Sequence, residues 1–150
     1  MLPDDTRIKI ENIVSGNVIA GREDHCTTIR NLLCSRYPTS KVVKSNFECN
    51  AVVKKEQARL IEVYCNEHHF WLQDIPQEDH FLTRGGEARV YIDSDSRHVI
   101  KLNDAVYYAT WLEFFNSILL HNLIFTNTAY ELIGFLKDND ALHAILRSHL

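Results

Sequence analysis

Residues 84–103 read RGGEARVYIDSDSRHVIKLN, and this stretch decides the fold. From Glu87 to Asp93 apolar and polar residues alternate: Ala88, Val90 and Ile92 fall on one face, Arg89 and Tyr91 on the other. A period of two predicts a strand with one buried side. Asp93-Ser94-Asp95-Ser96-Arg97 is a polar turn, and 98–102 predicts a second strand, so the two form a hairpin. Val99 and Lys101 share a face of that second strand, and a lysine on the buried side of a strand needs a partner. Gly85-Gly86 marks a turn at the start of the hairpin.

Downstream, 104–125 predicts one long helix. Ten of the fifteen residues from Trp111 to Phe125 are apolar, too many for one face of a surface helix. Such a helix is covered on several sides or meets a partner. Residues 129–136 and 141–147 are β-prone, with Lys137-Asp138-Asn139-Asp140 turning between them.

Upstream the pattern is helical. Residues 8–20 predict a weak helix broken near Gly16 and Gly21. Residues 25–37 predict a helix that Asp24 caps and Pro38 ends. Residues 39–53 read as loop and short extended pieces. The clearest helix of this half is 54–69, which opens on Lys54-Lys55-Glu56-Gln57-Ala58-Arg59. Phe70-Trp71-Leu72 is a bulky apolar plug, and the polar run Asp74 to Asp79 sets a boundary. The expected organisation is therefore a helical leader domain, 1–75, and an α+β domain, 76–150, in which an antiparallel sheet carries one long helix.

The 150 residues carry a net charge of −4 and a pI near 6.0, which argues against an electrostatic nucleic-acid binder. The basic group Arg36, Lys41, Lys44, Lys54 and Lys55 reads as a solvated loop and helix start. Cys26, Cys34, Cys49 and Cys65 show no CxxC spacing and read as free buried thiols. The N-terminus lacks the features of a signal peptide, and no apolar run is long enough to cross a membrane. A reducing, cytoplasmic location is the expectation.

From Phe81 onward the order is strand, Gly-rich turn, strand, turn, strand ending in lysine, long helix, strand, turn, strand. With Gly85-Gly86, Ala88, Val90-Tyr91 and Val99-Ile100-Lys101, this resembles the small lobe of protein-kinase-like enzymes. More closely, RGGEARVYID, VIKLNDAVYY, LLHNLIF and TAYELIGF resemble the kinase-like domain of bacterial and mobile-element polyvalent proteins. The resemblance covers roughly residues 81–147. It implies a nucleotide site. Gly85 and Gly86 would let backbone N–H groups approach phosphate oxygens. Val90 would lie above a purine. Lys101 would hold the phosphates and pair with Glu113, the acidic residue on the following helix. Read without the resemblance, Gly85-Gly86 is a bare β-turn, Lys101 an exposed strand lysine, and Glu113 the third residue of a capping box opened by Thr110.

The sequence departs from the kinase pattern. Thr83 and Ala88 stand where G-x-G-x-x-G has its outer glycines, and neither an H-R-D-x-x-x-x-N loop nor a D-F-G metal site occurs. The expectation is a truncated or degenerate kinase-like lobe. It would have no catalytic residues, no required cofactor and at most a weak ATP contact. The rivals are an interaction module without nucleotide binding and a fragment of a longer active enzyme. A homodimer or a protein partner is expected through the helix around Trp111 and Phe125, with Leu112, Phe115, Leu119 and Leu123 as the contacts. The neighbours His68 and His69, and His121 in the apolar helix, read as structural rather than as metal ligands or catalysts.

Overall fold

The computed structural model describes residues 3–19, 24–36, 47–74, 76–85 and 88–150. Among the described residues, three helices, α1 (Asp4–Ser15), α2 (His25–Arg36) and α3 (Phe47–His68), precede strands β1 (Phe81–Arg84), β2 (Ala88–Ile92) and β3 (His98–Asn103). Helix α4 (Trp111–Ile124) and strands β4 (Glu131–Asp138) and β5 (Ala141–His149) complete the chain. The strands form one antiparallel sheet in the order β1-β2-β3-β5-β4. Helices followed by an antiparallel sheet with one long helix make this an α+β protein.

Local chemistry sets the boundaries. Asp4 and Asp5 face the positive end of α1. Gly16 ends that helix in a left-handed conformation (φ 77°), which glycine adopts without steric cost. The Asp24 carboxylate accepts the Thr27 N–H at 2.7 Å and so caps α2 as expected. Helix α3 begins at Phe47, seven residues before the expected start. Once the strong helix formers after Lys54 nucleate a helix, extending it through Val52 and Val53 costs only tenths of a kcal/mol per residue, roughly. The expected break at Gly21 and the first part of the expected loop, 39–46, lie outside the described residues.

Helix α4 is shorter than the expected 104–125. The Asn103 Oδ1 accepts the Ala105 N–H at 2.8 Å, and the Asp104 Oδ1 accepts the Val106 N–H at 3.0 Å. These side-chain turns compete with helix, and Ala105 is left-handed (φ 59°). The helix starts only where the Thr110 hydroxyl accepts the Glu113 N–H.

The main core lies between the helices and one sheet face. Trp111, Phe114 and Phe115 of α4 are buried with Ile13 of α1, Ile29 and Leu33 of α2, and Ile61 of α3. Leu132, Ala144 and Leu146 of the sheet join them, so the first-half helices and the sheet share one hydrophobic core. Leu112, Phe115 and Leu119 are all buried inside the chain, and Leu123 is half-buried. The apolar residues that stay open at the end of this helix are Ile124 and Phe125. Cys26, Cys34 and Cys65 are free and buried. Burial pushes the Cys65 thiol up to about 12.

A smaller cluster, Tyr91, Leu102, Leu136 and Ile145, fills the opposite sheet face. The deeply buried residue of β2 is thus Tyr91, while Ala88, Val90 and Ile92 are only half-buried. That face of β2 borders a cleft instead of the packed core. Residues 70–72 run along β4: Leu72 N–H donates to the Phe135 carbonyl at 2.8 Å, and Phe135 N–H to the Phe70 carbonyl at 3.2 Å. The apolar plug thereby covers the β4 edge. Among the described residues no helix is long and apolar enough to cross a membrane.

Candidate ligand cleft around Lys101

Register decides what faces the cleft. Lys101 of β3 lies opposite Val90 on one side and Leu146 on the other, and Asn103 lies opposite Ala88. All five project toward α4. The last two turns of that helix contribute Ser117, Ile118 and His121, and Tyr130 closes one wall. The result is an open cleft of about 410 Å³ between the β1–β2 turn, β3 and α4.

The Lys101 ammonium donates to the Tyr130 hydroxyl at 2.7 Å and stands 4.7 Å from the centroid of the Tyr130 ring. The two distances place the ammonium at the hydroxyl end of the ring, so the hydrogen bond is what holds it. Tyr130 is fixed in turn by Asn122, whose side-chain amide bonds both main-chain groups of Tyr130. His121 packs beside Tyr130, its ring 4.8 Å from that of Tyr130, and its Nε2 donates to the Thr128 carbonyl at 3.0 Å. Tyr108 and Ser117 share a hydroxyl contact of 3.3 Å across the cleft floor.

Helix α3 holds the segment that joins β3 to α4. The Lys54 ammonium donates to the carbonyls of Ala105 at 2.6 Å and Tyr108 at 2.8 Å. Burial lowers the Lys54 pKa, and the neighbouring carboxylates Asp104 and Glu113 oppose that shift. Gln57, 1% exposed, accepts the Leu112 N–H at the start of α4. The cleft therefore depends on residues well before the sheet.

The expected site residues separate into two places. Gly85, Val90 and Lys101 all line the cleft. Gly86 lies outside the described residues. Glu113 is not brought to Lys101. It is exposed on the first turn of α4, where Thr110 caps its N–H, and its charge acts on Lys54. Lys101 instead faces residues one and two turns further along that helix. Among the described residues no carboxylate lies within ion-pair distance of Lys101. Sequence reading missed Asn103, Ser117, Asn122 and Tyr130. Asn103 alone carried a legible signal, since it repeats the strand face of Lys101.

Gly85 is informative for what does not hold it. Among the described residues, a Cβ built there meets nothing nearer than the Ala88 carbonyl at 4.0 Å. The described residues therefore leave room for a side chain at this position.

A second polar cluster sits at the β2–β3 turn, where Asp93, Asp95 and His98 place ligating atoms within 4.8 Å of one another. Arg147 already occupies it, bonding Asp93 at 2.6 Å and Asp95 at 2.9 Å. It reads as an ion-pair network rather than a metal centre.

An antiparallel sheet, a lysine strand under a glycine turn and one long helix behind it together define a protein-kinase-like small lobe. Residues 54–150 match the family described as a serine/threonine/tyrosine kinase found in polyvalent proteins, and the chain belongs to that family. The match opens at Lys54, the residue that bonds the β3–α4 connection. No curated protein and no solved structure matches the chain.

Proposed function

We propose that the chain holds the phosphate groups of a nucleotide weakly against Lys101, and that these 150 residues transfer no phosphoryl group. The observation that carries this reading is the composition of the cleft. Lys101 is the lysine or arginine that lines it, hydroxyl and amide groups surround it, and no aspartate or glutamate is present among the described lining residues. Such a donor set fits an anion. It offers a divalent cation no carboxylate, and the sequence contains neither H-R-D-x-x-x-x-N nor D-F-G. Phosphoryl transfer works by positioning and charge stabilisation, and those motifs supply the base and the metal ligands.

A phosphate contact in an open cleft is screened, so ATP is expected to bind no better than about millimolar, on the order of −4 kcal/mol. An ATP titration of the wild-type chain and Lys101→Ala tests this. Micromolar affinity, or affinity unchanged in the variant, refutes it. Turnover of radiolabelled ATP that Lys101→Ala abolishes would overturn the second half of the reading.

An interaction module is the second reading, favoured by the 51% exposed Ile124 and 57% exposed Phe125 at the end of α4. A homodimer through this end would scatter light above 17.4 kDa at low micromolar concentration and revert with Phe125→Glu. A 17.4 kDa species unaffected by that change rules it out.

A further inference from the structure

Asn103 sits on β3, two residues beyond Lys101 and on the same face of the strand, and it is only 7% exposed. Its side chain has one half committed. The Ala105 backbone N–H is a donor, so the atom it meets at 2.8 Å must be the carbonyl oxygen Oδ1. This fixes the amide orientation and turns Nδ2 away from Ala105. Among the described residues Nδ2 has no acceptor, yet Asn103 lines the Lys101 cleft. A buried amide donor without a partner is costly, and buried polar groups are overwhelmingly satisfied.

The position gives the donor a direction. Asn103 is registered opposite Ala88, whose carbonyl accepts the Gly85 N–H at 3.0 Å. The Asn103 Cα thus lies on the Gly85 side of Lys101, about 6–7 Å along the strand from the Lys101 Cα. Donors carried by alternate residues of one strand face into the same cleft suit a ligand with acceptor oxygens spread along a chain, as in a nucleoside polyphosphate.

We propose that Asn103 is a second ligand contact of this cleft, its Nδ2 donating to a phosphate oxygen of a nucleoside polyphosphate whose neighbouring phosphate meets Lys101. This rests on the nucleotide reading above. Asn103→Ser removes the amide donor and keeps an oxygen that can accept the Ala105 N–H in a serine turn. Asn103→Asp keeps the same acceptor and replaces the donor with a carboxylate.

The test is an ATP titration of the 150-residue chain followed by ¹⁵N–¹H spectra, with adenosine as the phosphate-free probe. The side-chain NH₂ pair of Asn103, identified by its loss in both variants, should shift with ATP and not with adenosine. ATP affinity should fall about fivefold or more in Asn103→Ser, as for a hydrogen bond to a charged group, and further in Asn103→Asp. If Asn103→Ser fails to fold, Asn103→Asp decides alone. ATP binding that needs Lys101 but leaves the Asn103 NH₂ signals and both variants' affinities unchanged overturns this inference and leaves the nucleotide reading standing. A wild-type chain that does not bind ATP overturns both.

Discussion

Asn122 holds Tyr130 by both of its main-chain groups. Its Nδ2 donates to the Tyr130 carbonyl at 2.8 Å, and its Oδ1 accepts the Tyr130 N–H at 2.7 Å. The side chain thus acts as a sheet partner for one residue, and it places the Tyr130 hydroxyl where Lys101 meets it. The lysine of this lobe is positioned through a tyrosine where a glutamate was expected.

Asn122→Ala removes both bonds from a partly buried site. The expected cost is about 1–2 kcal/mol, because each net bond contributes about 1 kcal/mol and the Tyr130 groups retain some access to water. Urea denaturation measures it. The same variant should release Lys101 from the ring. In a reductively methylated sample, the Lys101 methyl signal should move toward that of a free lysine. A signal that stays in place would show that Tyr130 holds its position without Asn122.

Gly134 faces the covering segment of the β4 edge. A Cβ there would stand 2.7 Å from the Leu72 Cγ and 3.0 Å from the Phe70 carbonyl oxygen. The second obstacle is backbone, which cannot rotate aside. Gly134→Ala should cost about 1–3 kcal/mol, as for overpacked cores, and loosen residues 70–72. Hydrogen exchange should quicken at the Leu72 amide, which bonds Phe135. Unchanged stability would mean that the segment retreats freely.

The hairpin was legible because its period is local: alternation over 88–92, a turn rich in Asp and Ser, then Val99 and Lys101 in phase. The early start of α3 and the late start of α4 were not. The first depends on extension from a nucleus at Lys54. The second depends on side-chain turns at Asn103 and Asp104 that outcompete helix. In the cleft, Gly85, Val90 and Lys101 were named by the resemblance to a kinase small lobe, and strand register supplied only the shared face of Val99 and Lys101. Glu113 follows its other reading, the third residue of the Thr110 capping box, and its charge acts on Lys54. Tyr130 and Asn122 had no signal at all. Their pairing exists only because the chain reverses between the end of α4 and β4.

The Asp93–Asp95–Arg147 network sets an acid limit. The Arg147 guanidinium, with the Ser94 N–H, holds the Asp93 carboxyl below its ordinary value. Asp95 is held at about 2 against an ordinary 3.8, chiefly by the Arg97 N–H and then by His98. A carboxyl whose pKa is lower when folded contributes stability that is full above the unfolded value and lost as pH falls through the folded one. Melting temperature should therefore drop between about pH 4 and pH 2. Asp95→Asn should flatten that limb and lower stability at pH 5. An acid limb identical in the variant would assign the loss to other groups.

Arg30 carries the last and largest stability prediction. It is fully buried on α2, and its guanidinium bonds no carboxylate among the described residues. Instead it donates to the carbonyls of Asn12, Ile13 and Asn17, where α1 ends, and to the Asn116 side chain of α4 at 2.8 Å. One side chain therefore satisfies the open end of α1 and ties it to the central helix. Arg30→Met fills much of the volume but takes away the donor that Arg30 gives the Asn17 carbonyl and the Asn116 Oδ1, each loss costing about 1–3 kcal/mol, while the Asn12 and Ile13 carbonyls keep the Asn17 and Gly16 N–H groups. Relaxation and water entry recover part of that, so a net loss of roughly 2–4 kcal/mol is expected by urea denaturation. Arg30→Lys should rescue little, because a point ammonium cannot reach five acceptors, Asn31 Oδ1 among them, fanned around a planar fork. A lysine variant as stable as wild type would show that charge alone, rather than the fork, holds α1 in place.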